Sequence, residues 1–444
     1  MGTIRTTIRQ HQPSECGQLL FSLATTVTPL QPRKILQGKP AHWVDGIPSK
    51  FVNPWPSWRL WPAWERILPY MTFTVMNPTY PNRDKVALAH VQTPNWGEDK
   101  ISQMKDKIKS TWLGHACFLV ELPARPSDSR GVRILFDPVF SKRCSSLQAI
   151  GPKRFTPAPC TVDKIPDLDV IVISHDHYDH MDSDTLRSIF KRTRKPLVFA
   201  PLGNVNFMKS IGAPPETTHI MDWWHSKRVE IQIPLNSPPS DAEATKATFT
   251  TLSFDITCTP CQHFTGRKLW DDFQTLWSSW AIEAPSVSIP NPVPGLDSTP
   301  VDTRSENISP QLENDTTRQS VKVFFAGDTG YRAVNDDEDE DKVPCCPAFK
   351  EIGEVFGGFD FAMIPIGAYQ PRRVMSPIHC APQDSVRIFK DIRARKALGM
   401  HWGAWILTTE PVDEPPKKLM EECRKVDIPV KDFGVCDIGE TRFW

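Results

Sequence analysis

From Thr111 onward the chain alternates short apolar runs with clusters of Gly, Pro and Asp. Runs of four to eight apolar or β-branched residues bounded by turn formers read as strands. Residues 112–121 and 132–137 predict a first pair, and 168–173 predict a strand buried on both faces. Further strands are predicted at 196–200, 229–233, 247–259, 278–284, 321–326, 359–366 and 397–400. The period lengthens to that of a helix after Asp182, where Leu186, Ile189 and Phe190 fall at i, i+3 and i+4 behind an Asp-Ser-Asp-Thr cap. A second helix is predicted at about 382–392. Polar residues with chemical potential recur just past strand ends, where open α/β sheets hold their ligands.

The flanks have a different texture. Residues 1–45 lack periodicity and predict a disordered tail. Residues 46–104 form a Trp/Pro-rich extension, in which Trp55, Trp58, Trp61 and Trp64 recur every third residue while prolines disfavour a helix. Indoles at that spacing suit a seam packed on the core or, alternatively, a lipid interface. The catalytic domain is expected to span 105–444, with a low-complexity surface insertion at 285–320 and a shorter Pro/Ser-rich one near 235–245. The acidic run 336–341 predicts a solvated loop tip.

Composition narrows the function. Lys plus Arg and Asp plus Glu each number 52, so no global basic field invites nucleic acid. Eleven cysteines are too dilute for a disulfide scaffold and indicate a reducing, intracellular compartment. Cys258 and Cys261 have CxxC spacing without a second such pair, and read as ordinary strand-end residues. No apolar run is long enough to predict a spanning helix. The acid-poor N terminus faintly resembles a mitochondrial transit peptide, and its Met-Gly start fits the loose myristoylation pattern; a plain tail is the simpler reading.

The densest chemistry lies in Ser174–His180, directly after the strand at 168–173. His175, His177 and His180 with Asp176 and Asp179 are costly to bury unless a metal compensates them, and they are donors that Zn²⁺ prefers. In an extended segment His175 and His177 share a side and can meet one ion, while Asp179 and His180, past the turn, face a second. His263, Asp328 and His401, each at a predicted strand end, are the candidates that complete the two shells, and Asp328 suits a bridge because an anion lowers the repulsion between two cations. A dinuclear metal-dependent hydrolase is therefore expected. His115 and Asp137 fall near the same face. They either hold the far nitrogen of a ligand imidazole or are a hydrogen-bonded core histidine and a turn aspartate. The cluster Asp222–His225 is expected to pack a loop.

The run His175-x-His177-x-Asp179-His180, followed by single His, Asp and His positions, resembles the metallo-β-lactamase superfamily. The segments 53–58 (NPWPSW), 111–116 (TWLGHA), 259–263 (TPCQH), 325–331 (FAGDTGY), 364–369 (IPIGAY) and 401–403 (HWG) are similar to its N-acylphosphatidylethanolamine-hydrolysing phospholipase D family. This resemblance implies an αββα sandwich of two mixed sheets with two Zn²⁺ ions in a cleft between strand ends. It assigns His175, His177 and His263 to one ion, Asp179, His180 and His401 to the other, and Asp328 to the bridge. It further implies that Tyr178 and His379 meet the substrate, with Asp328 and His379 the catalytic residues. The implied partners are a phospholipid at a peripheral membrane surface and a second copy in a homodimer, and the implied products are an N-acylethanolamine and phosphatidic acid. Two zinc ions lower the pKa of a shared water from ~16 toward 7, giving a hydroxide that attacks phosphorus. The leaving oxygen is helped by His379 or by a bound water. This sequence departs from the family at both insertions, at the acidic run, at Ile378 where a polar residue is expected, and at Gly266 where a lysine used for bile-acid binding is expected. Two other readings compete: the same fold acting on a soluble lactone or phosphodiester, and a non-catalytic lipid-binding scaffold, against which the complete ligand set argues.

Overall fold

The computed structural model describes residues 25–34, 38–62, 89–100, 104–192, 194–235, 249–268, 270–286 and 320–444. Among these, one sheet has seven strands. From edge to edge they are Thr441–Phe443 (β15), Lys109–Trp112 (β2), Phe118–Glu121 (β3), Arg133–Phe136 (β4), Val170–Val172 (β5), Leu197–Pro201 (β6) and Thr218–Met221 (β7). The other has eight: Thr25–Pro29 (β1), Ser226–Pro234 (β8), Phe249–Thr259 (β9), Ser279–Pro285 (β10), Ser320–Phe325 (β11), Phe361–Pro365 (β12), Ala397–Met400 (β13) and Phe433–Gly434 (β14). Both are mixed. Pairing is parallel from β4 to β7 and from β11 to β14, and antiparallel elsewhere.

The central parallel strands β5, β6 and β12 are apolar throughout because both their faces are covered. In β4, Ile134 and Phe136 face the other sheet while Leu135 faces outward, and Val170 and Val172 of β5 alternate with Ile171 in the same way. The Phe136 ring meets Phe325 of β11 across the sandwich at 4.8 Å. Ser183–Phe190 (α1) lays Leu186, Ile189 and Phe190 on the outer face of the seven-stranded sheet, where Val205–Ser210 (α2) adds Met208. Ala348–Phe356 (α3), Pro382–Asp391 (α5) and Glu414–Lys425 (α6) cover the eight-stranded sheet, with the short Arg372–Met375 (α4) before α5. The architecture is thus the αββα sandwich expected from the sequence.

The differences from expectation lie at edges and turns. The predicted strand 112–121 is two strands joined by a tight turn, in which Gly114 (φ 96°) and His115 (φ 54°) are left-handed. The predicted tail ends sooner than residue 45: Thr25–Pro29 pairs with β8 as an edge strand, while residues 1–24 lie outside the described residues. Most of the 285–320 insertion also lies outside them, but Pro285 and Ser320 pair across β10 and β11. Pro234 and Phe249 likewise pair around the 235–245 stretch. Both insertions therefore hang from hairpin ends, where added length costs little closure entropy.

The extension packs on the core as far as it is described; Trp64 lies outside. Trp55 stacks on Trp223 at 5.4 Å, Trp58 meets Phe273 edge-on at 6.3 Å, and Arg373 lies over Trp61 at 4.3 Å. Asp222 is the socket for the end of the expected tail, accepting from His42 Nε2 at 2.7 Å and Trp43 Nε1 at 3.0 Å. The acidic run is not a simple solvated tip. Glu340 pairs with Arg372 and with the buried Arg332, and Glu338 pairs with Arg59 of the extension. Arg332 and Arg372 in turn flank the buried Asp384, so the run caps an internal ion cluster.

Candidate metal centre

The strand ends converge where the two sheets meet. The loop after β5 is drawn back over β4 by Asp137, which is fully buried. Its carboxylate accepts from Ser174 N at 2.7 Å, Ser174 Oγ at 2.5 Å and His180 Nδ1 at 2.7 Å. Because Nδ1 of His180 is spent on Asp137, its Nε2 is left to face the centre. His263, just past β9, gives its Nδ1 hydrogen to the Ile378 carbonyl at 2.7 Å and likewise turns Nε2 inward. Asp328 follows β11 through Gly327 (φ 61°), where a Cβ would come within 2.7 Å of Ser174 Cβ. His401 follows β13, and a Cβ on Gly367 would lie 2.2 Å from its carbonyl. His115, Asp137, Ala368 and His401 all take positive φ without being glycine, at a cost of about 1 kcal/mol or more each, and all four sit at this rim.

Two groups of donors result. His175 Nε2 lies 2.9 Å from His177 Nδ1, which lies 3.3 Å from His263 Nε2. Asp179, His180 and His401 form the second group, joined by His115, whose Nε2 is 2.9 Å from Asp179 Oδ2. Asp328 Oδ2 stands between them, 3.0 Å from both His180 Nε2 and His401 Nε2, and 3.8 and 3.9 Å from His175 and His263 Nε2. His379 Nδ1 approaches the same oxygen at 3.9 Å.

These atoms fit metal ions better than they fit one another. His180 Nε2, His401 Nε2, His379 Nδ1 and Asp328 Oδ1 are buried without a hydrogen-bond partner. Two of them sit at hydrogen-bonding distance from Asp328 Oδ2 without its direction, as expected when lone pairs converge on common points between them. Electrostatics agrees. Burial would push the carboxyls of Asp328 and Asp179 up, but His180 and its neighbouring imidazoles hold both well below the usual range. Desolvation opposes charge on His180 and His401, yet Asp328 and Asp179 raise the first well above 6.5 and the second to about 9. Protons on these two rings thus take the place that divalent cations would fill. His175 and His263, desolvated and crowded by other imidazoles, are held well below 6.5 and stay neutral, the form that ligates. Burial likewise lowers His115 and His379 to about 3.

All seven ligand positions inferred from the sequence, His175, His177, Asp179, His180, His263, Asp328 and His401, meet in one place, with His379 beside them. Of the two readings of His115 and Asp137, the geometry favours support, since one holds Asp179 and the other His180. Tyr178 lines a neighbouring cleft of about 540 Å³, its hydroxyl donating to the Arg267 carbonyl at 2.9 Å while the Arg267 guanidinium stacks on its ring at 4.0 Å. Cys258 and Cys261 are buried, and desolvation pushes both thiols well above their ordinary value, so they are inert packing groups.

Three supporting residues were missed. Asn53 clamps the His263 backbone, donating to its carbonyl at 2.7 Å and accepting from its amide at 3.2 Å. Gln262 ties Ser57 to the Pro377 carbonyl, fastening the extension to the loop that carries His379. Glu410 receives the amides of Ala368, Tyr369 and Gln370. Asn53 lay in a noted motif, but nothing local announces a partner some two hundred residues away.

Comparison with known proteins agrees with this geometry. Residues 132–289 and 292–402 match the family described as the Beta-lactamase superfamily domain. The chain therefore belongs to the metallo-β-lactamase superfamily, as its two-sheet fold and convergent His/Asp cluster indicate. Within it, the chain is 31% identical over 431 residues to N-acyl-phosphatidylethanolamine-hydrolyzing phospholipase D 1 of Caenorhabditis elegans, covering 95% of this chain and 98% of the relative. The N-acyl-phosphatidylethanolamine-hydrolyzing phospholipase D, mitochondrial, of Saccharomyces cerevisiae is 30% identical over 71% of this chain and 52% of its own length. The chain belongs to the family that these relatives represent. Among solved structures, isothiocyanate hydrolase from Delia radicum gut bacteria is a distant likeness, at 13% identity over 76% of this chain and 99% of its own, with a TM-score of 0.45.

Proposed function

We propose that the protein is a dinuclear zinc phosphodiesterase that hydrolyses N-acylphosphatidylethanolamine at a membrane surface to an N-acylethanolamine and phosphatidic acid. The observation that carries this reading is the position of Asp328 Oδ2 between two groups of inward-facing donors, in a chain alike over nearly its whole length to a phospholipase D of that specificity. His175, His177 and His263 would hold one ion, Asp179, His180 and His401 the other, with Asp328 shared; five of these donors are imidazoles already neutral or needing one proton removed, the chemistry zinc favours. A zinc pair there would supply Lewis acidity, lowering the pKa of water toward neutrality and offsetting phosphoryl charge.

The chain's own groups do the rest. Asp137 and the Ile378 carbonyl fix the inward rotamer and tautomer of His180 and His263, and His115 holds Asp179, so little reorganisation of these three is needed as charge develops on phosphorus. His379 brings an unpartnered Nδ1 to the same point and is placed to hydrogen-bond a phosphoryl or leaving oxygen. Tyr178 presents its ring to the cleft beside the loop and shapes which phosphodiester enters.

The test is lipid profiling by mass spectrometry of pure zinc-loaded protein with mixed membrane lipids in ¹⁸O-enriched water. Phosphatidic acid carrying ¹⁸O, formed together with N-acylethanolamine, is expected. Turnover confined to soluble lactones or phosphodiesters would instead establish the competing reading.

A further inference from the structure

Two loops and the start of α2 ring the cleft beside Tyr178, and each carries an exposed apolar side chain within five residues of an exposed lysine. The first, residues 141–154, is a hairpin whose base is an antiparallel bridge between Arg143 and Lys153. At its tip Leu147 and Ile150 stand 60% and 62% exposed. The hairpin contains Lys142, Arg143, Lys153 and Arg154 and no carboxylate. Its base is fastened to the metal loop: Ser141 donates to Asp182, the cap of α1, and Arg154 donates to the Val139 carbonyl and stacks on Trp405, which meets His115 edge-on.

The second element is the start of α2, which presents Val205, 54% exposed between Asn204 and Asn206, with Lys209 exposed one turn further on. The third presents Trp270 between the cleft residues Lys268 and Asp271; at 75% it is the most exposed large apolar side chain among the described residues. Lys142, Lys153, Lys209 and Lys268 are exposed, and none has a carboxylate partner among the described residues. The nearby Asp184 is taken by Arg187.

Single exposed apolar residues are ordinary, but four on one rim beside four unpaired ammonium groups are not. A partner protein seated there would close the cleft. A bilayer would open it to lipid, since apolar tips enter the acyl boundary, indoles favour the interface, and lysines reach back to phosphates. We propose that this rim is the face that seats on an anionic phospholipid bilayer, with Leu147, Ile150, Val205 and Trp270 inserted and Lys142, Lys153, Lys209 and Lys268 meeting headgroup phosphates. The lipid reading given above supplies its purpose, whereas its geometry stands independently.

Vesicle flotation tests it, with phosphatidylcholine and phosphatidylserine at roughly four to one against phosphatidylcholine alone. The full chain should float with the anionic vesicles. Leu147→Ser/Ile150→Ser and Trp270→Ser should each lower the partition coefficient about tenfold or more. Lys142→Glu/Lys153→Glu should remove the preference for anionic over neutral vesicles, and every variant should keep the wild-type melting temperature. Wild-type flotation by these variants overturns the rim, as does a wild-type chain that stays unbound. So does a self-association that Leu147→Ser/Ile150→Ser abolishes, because the face would then cover a second copy. Flotation does not depend on turnover. Loss of binding without any lipid product would leave the rim standing and sink the substrate; product with unchanged flotation would do the reverse.

Discussion

On one side of Asp328, His180 rests on the buried carboxylate of Asp137; on the other, His263 rests on the peptide carbonyl of Ile378, with Asn53 gripping its backbone. The first support is charged and local to one sheet, joining the ends of the neighbouring strands β4 and β5. The second is neutral and assembled from the extension, the eight-stranded sheet and the loop before α5. A contiguous ligand loop needs one strong anchor, because its backbone fixes the rest. His263, arriving from a distant segment, takes its own neutral brace, whereas the His401 ring leaves Nδ1 without a partner.

The largest effect should come from removing what the two sides share. Asp328→Asn should lower turnover by at least about a thousandfold while circular dichroism stays unchanged, since the fold does not depend on this side chain alone. Near-wild-type turnover would refute the shared centre. Next, Asp137→Asn should weaken zinc affinity by about 10–100-fold in a chelator competition, because His180 loses the charge that orients it. If the loss were no greater than that in Asn53→Ala, the contrast between charged and neutral supports would fail.

A third expectation concerns protons on the charged side. His401, raised to about 9, and His180, raised well above 6.5, carry protons at pH 7 in the metal-free protein and must shed them to ligate. Zinc affinity should therefore rise with pH up to about 9, by about tenfold per unit for His401 alone, and loading should release protons measurable by calorimetry in two buffers. Affinity independent of pH between 6 and 8 would count against this. The smallest effect is expected for Asn53→Ala: about a three- to tenfold loss in kcat/KM, with the loss in kcat larger than the rise in KM, and partial recovery in Asn53→Asp, which keeps the acceptor for the His263 amide.

The contiguous and the dispersed ligands were also unequally legible in the sequence. The loop 175–180 announces itself because its donors are adjacent and follow an apolar strand. His263, Asp328 and His401 were reachable because each ends a strand that periodicity had located. Asn53, Gln262 and Glu410 act through backbone groups of distant segments, and an amide or carboxylate that serves a remote peptide unit leaves no local pattern. The edges were hidden for a related reason: β1 and β15 are short, half-exposed and stabilised only by a partner strand far away. The acidic run misled because composition records charge and is blind to Arg332 and Arg372 waiting opposite.

The pairing of β15 with β2 bears on how the protein is made. Thr441 pairs with Thr111 across 330 positions, and beyond the strand the Trp444 amide reaches the Ile108 carbonyl while its ring stacks on Phe361 of the other sheet at 4.7 Å. During synthesis, β2 must wait with an open edge until β15, some 330 positions later, leaves the ribosome. A nascent chain stalled shortly before residue 441 would hold nearly all its ligands and still present a bare strand to its neighbours, a state that a holding chaperone would be well placed to guard.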